Sequence, residues 1–507
     1  MNNGKICVSV CAANADEMLE QIRRAEKLAD VIEVRLDCIE PKQIRKAFAF
    51  LSSKKPLLLT YRPKEQGGKI ESDLFQREVF WTVFVINGNN DIRKLWFDYE
   101  YDLTNFQKVS NPITIRSFHD FSGVPENLNE ILRNLSAKSE VAKIAVQAAD
   151  ITDSLAVWKL LEKAKSDNKQ IIPIAMGEAG KWTRLLGLAH GAFMTYASLD
   201  AGNETAPGQI SAKDLIEVYR VKELNEQTEI YGIIGNPVAH SLSPFIQNTA
   251  IKFYNLNAVF IPFEVQNLDE FIKRFVREET CEIKLNFKGF SVTAPHKQSI
   301  IKHLDFIDKT AKAIGAVNTV KIENGKLYGY NTDAQGFIEP LKNSYGDVQN
   351  AKVAVLGAGG AARACIYALK QEKAEVTIFA RNIEKAKNLS EEFQIGLREL
   401  TTNYELRTMN FDDFDIIVNA TPLGTKGENE NETPAGAGQI KNVHIAYDLV
   451  YNPLQTRFLR EAQSVGVSTI GGLAMLVAQG AAQFKIWIGK DAPIKEMSAS
   501  ALRKLLS

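Results

Sequence analysis

The sequence predicts an α/β chain in two parts: a closed (β/α)8 barrel over residues 1–225, then a two-lobed α/β region. Three observations carry that prediction. Short β-rich runs recur eight times within about two hundred residues, with helical segments between most of them. The stretch 230–245 then breaks that rhythm, packing Gly235, Pro237, Ser241, Ser243 and Pro244 into one strand-to-helix turn. Past residue 351, a strand, a glycine turn, a helix and a second strand follow in order. A chain of 507 residues is in any case too long for one ordinary core.

Composition narrows the partners. Lys+Arg and Asp+Glu both number 61, so the formal net charge is zero. That argues against nucleic acid or a membrane surface as the main partner, while leaving room for local positive pockets. The cysteines Cys7, Cys11, Cys38, Cys281 and Cys365 lack metal-ligand spacing, and no metal is expected. An odd number cannot all pair within one chain, and a reducing cytosol is the simplest home. The start passes within a few residues into a strand, so no signal or transit peptide is expected, and no apolar run is long enough to span a bilayer.

The eight runs lie at 6–10, 31–36, 56–61, 95–99, 112–118, 141–146, 171–175 and 192–196. A flat doubly wound sheet is the rival to a barrel. In 31–37, Ile32, Val34 and Leu36 share one face while Glu33, Arg35 and Asp37 share the other. An edge strand would solvate such charges; a barrel has no edge, so there they point into its mouth. The same alternation sets Ile113, Ile115, Ser117 and His119 on one face, Val141, Lys143 and Ala145 on another, and Asp98 with Glu100 on a third.

A lone strand lysine is usually a solvated edge charge, and a lone histidine usually structural. Together they read as a site. Lys143 among Val141, Ile144, Ala145 and Val146 is poorly solvated, which disfavours its ammonium form. A neutral amine attacks a ketone to form a Schiff base, the iminium acidifies the adjacent carbon, and His119 is the candidate to move that proton.

Glu33-Val-Arg-Leu-Asp37, Thr60-Tyr-Arg62 with Gly67-Gly68, Ser117-Phe-His-Asp-Phe121, Lys143-Ile-Ala145, Met176-Gly177, Arg184 and Ala206-Pro-Gly-Gln209 together resemble type I 3-dehydroquinate dehydratase. The resemblance implies that Lys143 forms an imine with the substrate's C3 ketone. His119 would serve as base at C2 and then as the acid that assists loss of the C1 hydroxyl. Glu33, Arg35, Arg62, Arg184, Thr205 and Gln209 would bind 3-dehydroquinate, the arginines being suited to its carboxylate. Two departures stand out. The family's glutamate directly before Gly-Gly is Gln66 here, with Glu65 one place early, and the family's serine before Ala-Pro-Gly-Gln is Thr205.

Ser211-Ala-Lys-Asp214 reads as a variant capping box opening an amphipathic helix over 215–221. Only Asn225 to Thr228 then separate the halves, too short for a flexible tether.

In the second half, Ser241 and Ser243 either hold a small polar ligand or merely cap the helix behind Pro244. Phe287 to Lys297 then presents Thr293 and Lys297 around the Pro295 turn, where a solvated loop lysine is the plain alternative. The segments 313–319 and 329–333 bring Asn318 and Asp333 toward the same pocket. Lys297 beside Asp333 makes a pair able to bind a hydroxyl and exchange its proton during hydride transfer. Gly235-Asn-Pro-Val-Ala-His-Ser-Leu-Ser-Pro244 and these segments resemble shikimate dehydrogenases. That resemblance assigns shikimate contacts to Ser241, Ser243, Thr293, Asn318 and Gln479, with Lys297 and Asp333 catalytic. The family's asparagine before Val-Thr is Ser291 here.

Residues 352–356 read as a parallel strand and Gly357-Ala-Gly-Gly-Ala-Ala362 as its glycine turn, the Rossmann arrangement in which a helix N-terminus faces a pyrophosphate. Gly357, Ala358, Gly359, Gly360 and Ala361 are thus cofactor-binding candidates. The second strand, 375–379, ends in Ala380-Arg-Asn382 and not in an acidic residue. Arg381 suits a 2′-phosphate, so NADP(H) is favoured over NAD, with Lys385 a further basic position. By resemblance, Thr421 within Val418-Asn-Ala-Thr-Pro-Leu-Gly424 lines the nicotinamide side, Tyr447 to Pro453 matches a later signature, and Gly472 opens the helix that carries Gln479.

The two resemblances imply one bifunctional enzyme of aromatic amino acid biosynthesis, dehydrating 3-dehydroquinate and then reducing 3-dehydroshikimate to shikimate. The expected domains are a barrel at 1–225, a shikimate-binding lobe at 229–335 and 472–507, and a Rossmann-like lobe at 336–471, in a cytoplasmic monomer. Two other classes stay open: a non-catalytic sensor or regulator built from these domains, and an NAD-linked oxidoreductase working on quinate.

Overall fold

Residues rich in β-branched and aliphatic side chains form eight parallel strands: β1 (Lys5–Val10), β2 (Val31–Arg35), β3 (Leu57–Thr60), β4 (Leu95–Glu100), β5 (Thr114–Asp120), β6 (Val141–Gln147), β7 (Gln170–Met176) and β8 (Met194–Ser198). A two-residue β9 (Ile210–Ser211) follows. The computed structural model describes residues 2–49, 51–87, 95–103, 113–400 and 410–506. The ladder runs β7-β6-β5-β4-β3-β2-β1-β8-β9. Phe193 N donates to Ile171 O at 2.8 Å, which sets the entry of β8 beside β7 and returns the sheet on itself. The barrel, not the flat sheet, is the outcome.

Strand periodicity of two explains how one interior holds both a core and a site. Cys7, Val31, Leu58, Ile115, Val141 and Ile172 form an apolar cluster inside the ring. Two residues further along the same faces come Glu33, Ser117 and Lys143, which are buried. The start of the fifth predicted run, residue 112, lies outside the described residues, and β5 extends far enough to put His119 on the strand itself.

Two local readings need correction. β2 stops at Arg35, and Asp37 sits in the 3-10 turn Leu36–Cys38. That turn brings Cys38 to Cys11 with Cα atoms 5.4 Å apart, and the two form a disulfide that sequence spacing did not suggest. Cys7, Cys281 and Cys365 are free. Ser211 Oγ does accept from Asp214 N at 3.1 Å, as a cap should. The helix behind it is only Asp214–Val218, because Arg220 adopts a left-handed φ of 50°.

β10 (Glu229–Gly235) and β11 (Ala258–Glu264) pair in parallel. By compactness the chain divides into one unit of Met1–His240 with Asn257–Phe287, and another of Ser241–Leu256 with Lys288–Ser507. In the latter, β12 (Phe287–Val292), β13 (Phe306–Ile307), β14 (Thr319–Glu323) and β15 (Lys326–Tyr330) are ordered β12-β14-β15-β13. A wholly parallel sheet follows: β16 (Lys352–Leu356), β17 (Glu375–Ala380), β18 (Gly396–Glu399), β19 (Ile416–Asn419), β20 (Ile445–Asp448) and β21 (Ser468–Ile470), ordered β18-β17-β16-β19-β20-β21. Both its faces are covered: Val353, Val355 and Val418 enter one core, Ala354, Leu356 and Ile417 the other. Strand order reverses at β16, the switch point at which such sheets bind ligands. Among the described residues no helix is long and apolar enough to cross a membrane.

The helices Asp333–Tyr345 and Gly472–Ile488 cross with almost no gap. A Cβ built on Gly336 would stand 2.6 Å from Gln479 Cβ and 2.7 Å from its backbone N. Gly336→Ala is therefore expected to destabilise the second unit by about 1–3 kcal/mol, because a backbone atom cannot yield as a side chain can. The shift in urea midpoint of the full-length variant, followed by far-ultraviolet circular dichroism, measures it.

Candidate active sites

The barrel mouth gathers residues that lie far apart in sequence. Glu33, Arg35, Arg62, Gln66, His119, Lys143, Arg184, Thr205 and Gln209 line one pocket. Lys143 has a side chain only 4% exposed. Its ammonium donates to Asp98 Oδ2 at 3.0 Å and stands 3.9 Å from the centroid of the Tyr196 ring. Burial lowers the Lys143 pKa; Asp98 opposes that and Arg62 adds to it, and the net shift is downward. Burial by itself would raise Asp98, but Lys143 and Arg62 hold it down at about 2.

His119 is pushed well below its usual range by burial, with Arg62 and Lys143 adding to the effect. Arg62 Nη1 donates to His119 Nε2. Since a guanidinium has no acceptor, that ring nitrogen is unprotonated, the form a base requires. Arg62 also donates to Asp98 Oδ2 at 2.6 Å. Glu100, behind it, is pushed up to about 8 by burial, with Arg62 opposing.

The rest of the wall is anchored. Glu33 accepts from Ser9 Oγ at 2.6 Å and from Thr60 Oγ1 at 3.0 Å. Arg35 donates to both carboxylate oxygens of Asp37, at 2.8 and 2.7 Å, and to Gly67 O at 3.2 Å, tying β2 to the glycine loop. Gln209 Oε1 accepts from Thr205 N at 2.8 Å and so closes the 205–209 turn. Arg184 differs from its neighbours. It is buried, and among the described residues its Nε has no hydrogen-bond partner and its guanidinium donates only to Pro207 O, at 3.2 Å. Burial alone pulls it down to about 10. A guanidinium desolvated without a counter-charge is a prepared seat for an anionic ligand.

The glycine loop settles a point that spacing left open. Gln66 is buried, lines the pocket and has an unpartnered Oε1, whereas Glu65 is exposed. The amide, not the displaced carboxylate, faces the site.

In the second unit, Lys297 Nζ donates to Asp333 Oδ2 at 2.5 Å, with the lysine side chain 22% exposed. Asp333 Oδ1 accepts from Asn318 Nδ2 at 2.7 Å, and Asn318 Oδ1 from Thr332 N at 2.8 Å. The three predicted side chains thus form one chain of hydrogen bonds. The helix Ser243–Phe253 begins with Leu242 at its cap and no side-chain cap bond, and Ser241 Oγ accepts from Ser243 N at 3.2 Å. Helix capping therefore does not occupy the Ser243 hydroxyl. Gln479 donates to Leu476 O at 2.9 Å on the helix that meets Asp333's own.

Gln483, four residues on and hence on the same helix face, was missed by the sequence reading. It donates to Asn318 O at 3.2 Å and to Thr319 Oγ1 at 3.1 Å, and accepts from Ser291 Oγ at 2.9 Å. Ser291 is therefore turned toward this buried network. The i, i+4 spacing of the two glutamines was the available signal.

Thr293, Lys297, Ala358, Gly359, Gly360 and Ala361 line a shared cleft. No heavy atom lies within 4 Å of a Cβ built on Gly359, so the turn opens to the N-terminus of helix Gly360–Gln371. Gly357, at φ 112°, packs against Ala420 and Thr421, and a Cβ at Gly472 would meet Leu449 O at 2.4 Å. Arg381 lines a separate surface recess with Asn382, Glu384 and Glu399. The side chain of Lys385 lies outside the described ones. No group of at least three His, Cys, Asp or Glu among the described residues is placed to hold a metal.

Comparison with known proteins follows the same division. Residues 6–226 match the family described as Type I 3-dehydroquinase. Residues 233–320 match the Shikimate dehydrogenase substrate binding domain, 339–431 Shikimate / quinate 5-dehydrogenase, and 472–502 the Shikimate 5'-dehydrogenase C-terminal domain. A bifunctional 3-dehydroquinate dehydratase/shikimate dehydrogenase, chloroplastic, of Arabidopsis thaliana is 33% identical over 97% of this chain and 83% of its own length. A shikimate dehydrogenase (NADP(+)) of Methanococcus maripaludis is 44% identical over 56% of this chain and 100% of its own. A crystal structure of a shikimate dehydrogenase in complex with NADP+ has a TM-score of 0.50 and 38% identity, covering 56% of this chain and 97% of that one.

The charge order at Lys143 makes a testable statement. Asp98→Asn removes the anion that favours the ammonium, so the Lys143 pKa is expected to fall further. Titration of nitrogen-15-labelled lysine by NMR reads it directly, and an unchanged or upward midpoint would contradict the assignment.

Proposed function

The chain belongs to the bifunctional 3-dehydroquinate dehydratase/shikimate dehydrogenase family, and from that premise we propose how its two sites divide the work. It is an enzyme of the shikimate pathway: the first half dehydrates 3-dehydroquinate to 3-dehydroshikimate, and the second reduces that product to shikimate. The observation that carries the site reading is the pairing of a desolvated Lys143 with an unprotonated His119 nitrogen, beside an Arg184 that lacks a counter-charge.

In our reading, the Lys143 amine adds to the substrate's C3 ketone and water leaves to give a protonated imine. Asp98 takes part by holding the nitrogen's charge, and Glu33, 4.0 Å from it, adds a second anion. His119 Nε2 removes the C2 proton, and the imidazolium so formed delivers a proton to the departing C1 hydroxyl. Arg184 takes the substrate carboxylate, while Gln66, Thr205 and Gln209 face its hydroxyls. Hydrolysis of the imine returns the free amine.

In the second unit, Ser241, Ser243, Thr293 and Gln479 orient the ring of the substrate, and Asn318 fixes the Asp333 carboxylate. Lys297 donates a proton to the carbonyl oxygen as it becomes a hydroxyl, with Asp333 stabilising the ammonium. The Gly357–Ala361 turn would hold NADPH, which when bound would supply the hydride. The open space above Gly359 supports a pyrophosphate there, and Arg381, which shares its recess with Glu384 and Glu399, is the group offered to the 2′-phosphate. The domains follow 1–225, then 229–335 with 472–507, and 336–471, in a cytoplasmic monomer.

With 3-dehydroquinate and NADPH supplied together, Lys143→Ala is expected to lower water loss by roughly 10⁴-fold or more while leaving reduction of added 3-dehydroshikimate intact. Lys297→Ala should do the reverse, lowering NADPH oxidation by about 10²–10⁴-fold. Borohydride added with 3-dehydroquinate should fix mass on the Lys143 peptide of the wild type, and its absence there would sink the imine reading.

Arg381→Ala is expected to weaken NADP binding by about tenfold or more and to leave NAD binding unchanged, since only the 2′-phosphate loses a charged donor. Calorimetric titration of both cofactors decides it.

A further inference from the structure

We infer that the segment from Glu264 to Glu282, which by sequence belongs to the dehydrogenase's substrate-binding half, braces the dehydratase site from behind its wall, and that Phe275 is a positioning residue for Arg184. The inference rests on the dehydratase reading of the barrel. Residues 257–287 group with the barrel in one compact unit, although the shikimate dehydrogenase domain match runs from 233 to 320.

Arg184 lies on the helix Lys181–Leu186, six residues long. So short a helix has no stability of its own, and its orientation is set by what it packs on. Its anchor is Trp182, fully buried. On one side the Trp182 ring lies 4.7 Å from that of Trp158, and its Nε1 donates to Ser154 Oγ at 2.8 Å. On the other, the ring of Phe275 meets it edge-on with centroids 5.6 Å apart and planes 80° apart. Phe275 is thus one of the rings that fix this anchor, and the guanidinium of Arg184, two residues away, donates to the Pro207 carbonyl while its backbone carbonyl accepts from Thr195 Oγ1 at 3.1 Å.

The same segment touches the loop that leaves β6, the strand of Lys143. Gln266 Nε2 donates to Ala149 O at 3.2 Å, and Gln266 N to Asp150 Oδ2 at 3.4 Å. Lys159, from the barrel helix Ser154–Ser166, and Arg274 both pair with Glu282. These ion pairs are exposed and contribute little. The ring contact is the part that reaches Trp182, two residues from Arg184 on the same helix.

The consequence is a dehydratase whose carboxylate seat is set from the other half of the chain. The test uses the full-length protein with Phe275→Ala and Phe275→Met, the second refilling the space with a side chain that also packs on aromatic edges. Phe275→Ala is expected to raise the dehydratase KM for 3-dehydroquinate by about tenfold, with a smaller fall in kcat, as expected when a binding group is misplaced. Phe275→Met should recover most of the loss, and shikimate oxidation in the same preparation should change less than the dehydratase KM does. A folded Phe275→Ala protein whose dehydratase KM stays at the wild-type value overturns the inference and leaves the dehydratase reading standing. Should Phe275→Ala fail to fold, Phe275→Leu is read by the same criterion. A wild-type protein without dehydratase turnover would instead overturn the reading of the first site, and this inference with it.

Discussion

The first half of the molecule depends on keeping a lysine amine inside a ring of strands. A barrel whose staves alternate apolar and charged residues can seal its floor with Val31, Ile115 and Val141 and still present Glu33, Ser117 and Lys143 two residues higher. Burial drives the amine toward its neutral form, while Asp98 and the face of Tyr196 keep the charged form affordable. Neither pull can be large without defeating the other. In the proposed imine chemistry the amine is neutral when it attacks and positive as an iminium, and it needs both.

The second half solves a different problem with a similar pair. Lys297 and Asp333 touch at 2.5 Å, with the lysine side chain 22% exposed, and in the proposed reaction the lysine donates a proton to an oxygen and does not act as a nucleophile. Its precision comes from the buried amides behind it. Asn318 is held by Thr332 and by Gln483, and Gln483 is held by Ser291, so the amide that donates to the carboxylate is itself fixed by a buried network. Close contact at Gly336 brings the helix of Gln479 and Gln483 near enough for this to happen.

Some of the site was legible because period-two alternation places a strand's side chains without knowledge of anything else. Glu33, Arg35, His119 and Lys143 were assigned to a mouth on that basis, and they line one pocket. What escaped were features that depend on loop path or on helix phase. Gln66 against Glu65 is decided by which way a 3-10 turn faces before Gly67. The Cys11–Cys38 pair depends on β2 ending at Arg35, where a continued strand would have carried Cys38 elsewhere. The helix read over 215–221 stops early because Arg220 takes a left-handed backbone conformation that no pattern of apolar residues announces.

By itself, the amino-acid sequence determined the two-part architecture, the parallel strands and the candidates for the reactive groups, because these follow from local periodicity and from residue chemistry at short range. The tertiary structure alone decided which of those groups meet. Strand order brings Asp98 to Lys143 across 45 positions of chain, and Arg62 to His119 across 57. Packing left Arg184 without a counter-charge and set Phe275 against the tryptophan beside it. Desolvation and charge pairing act through space over a few ångströms, and only the folded chain fixes which residues share that space.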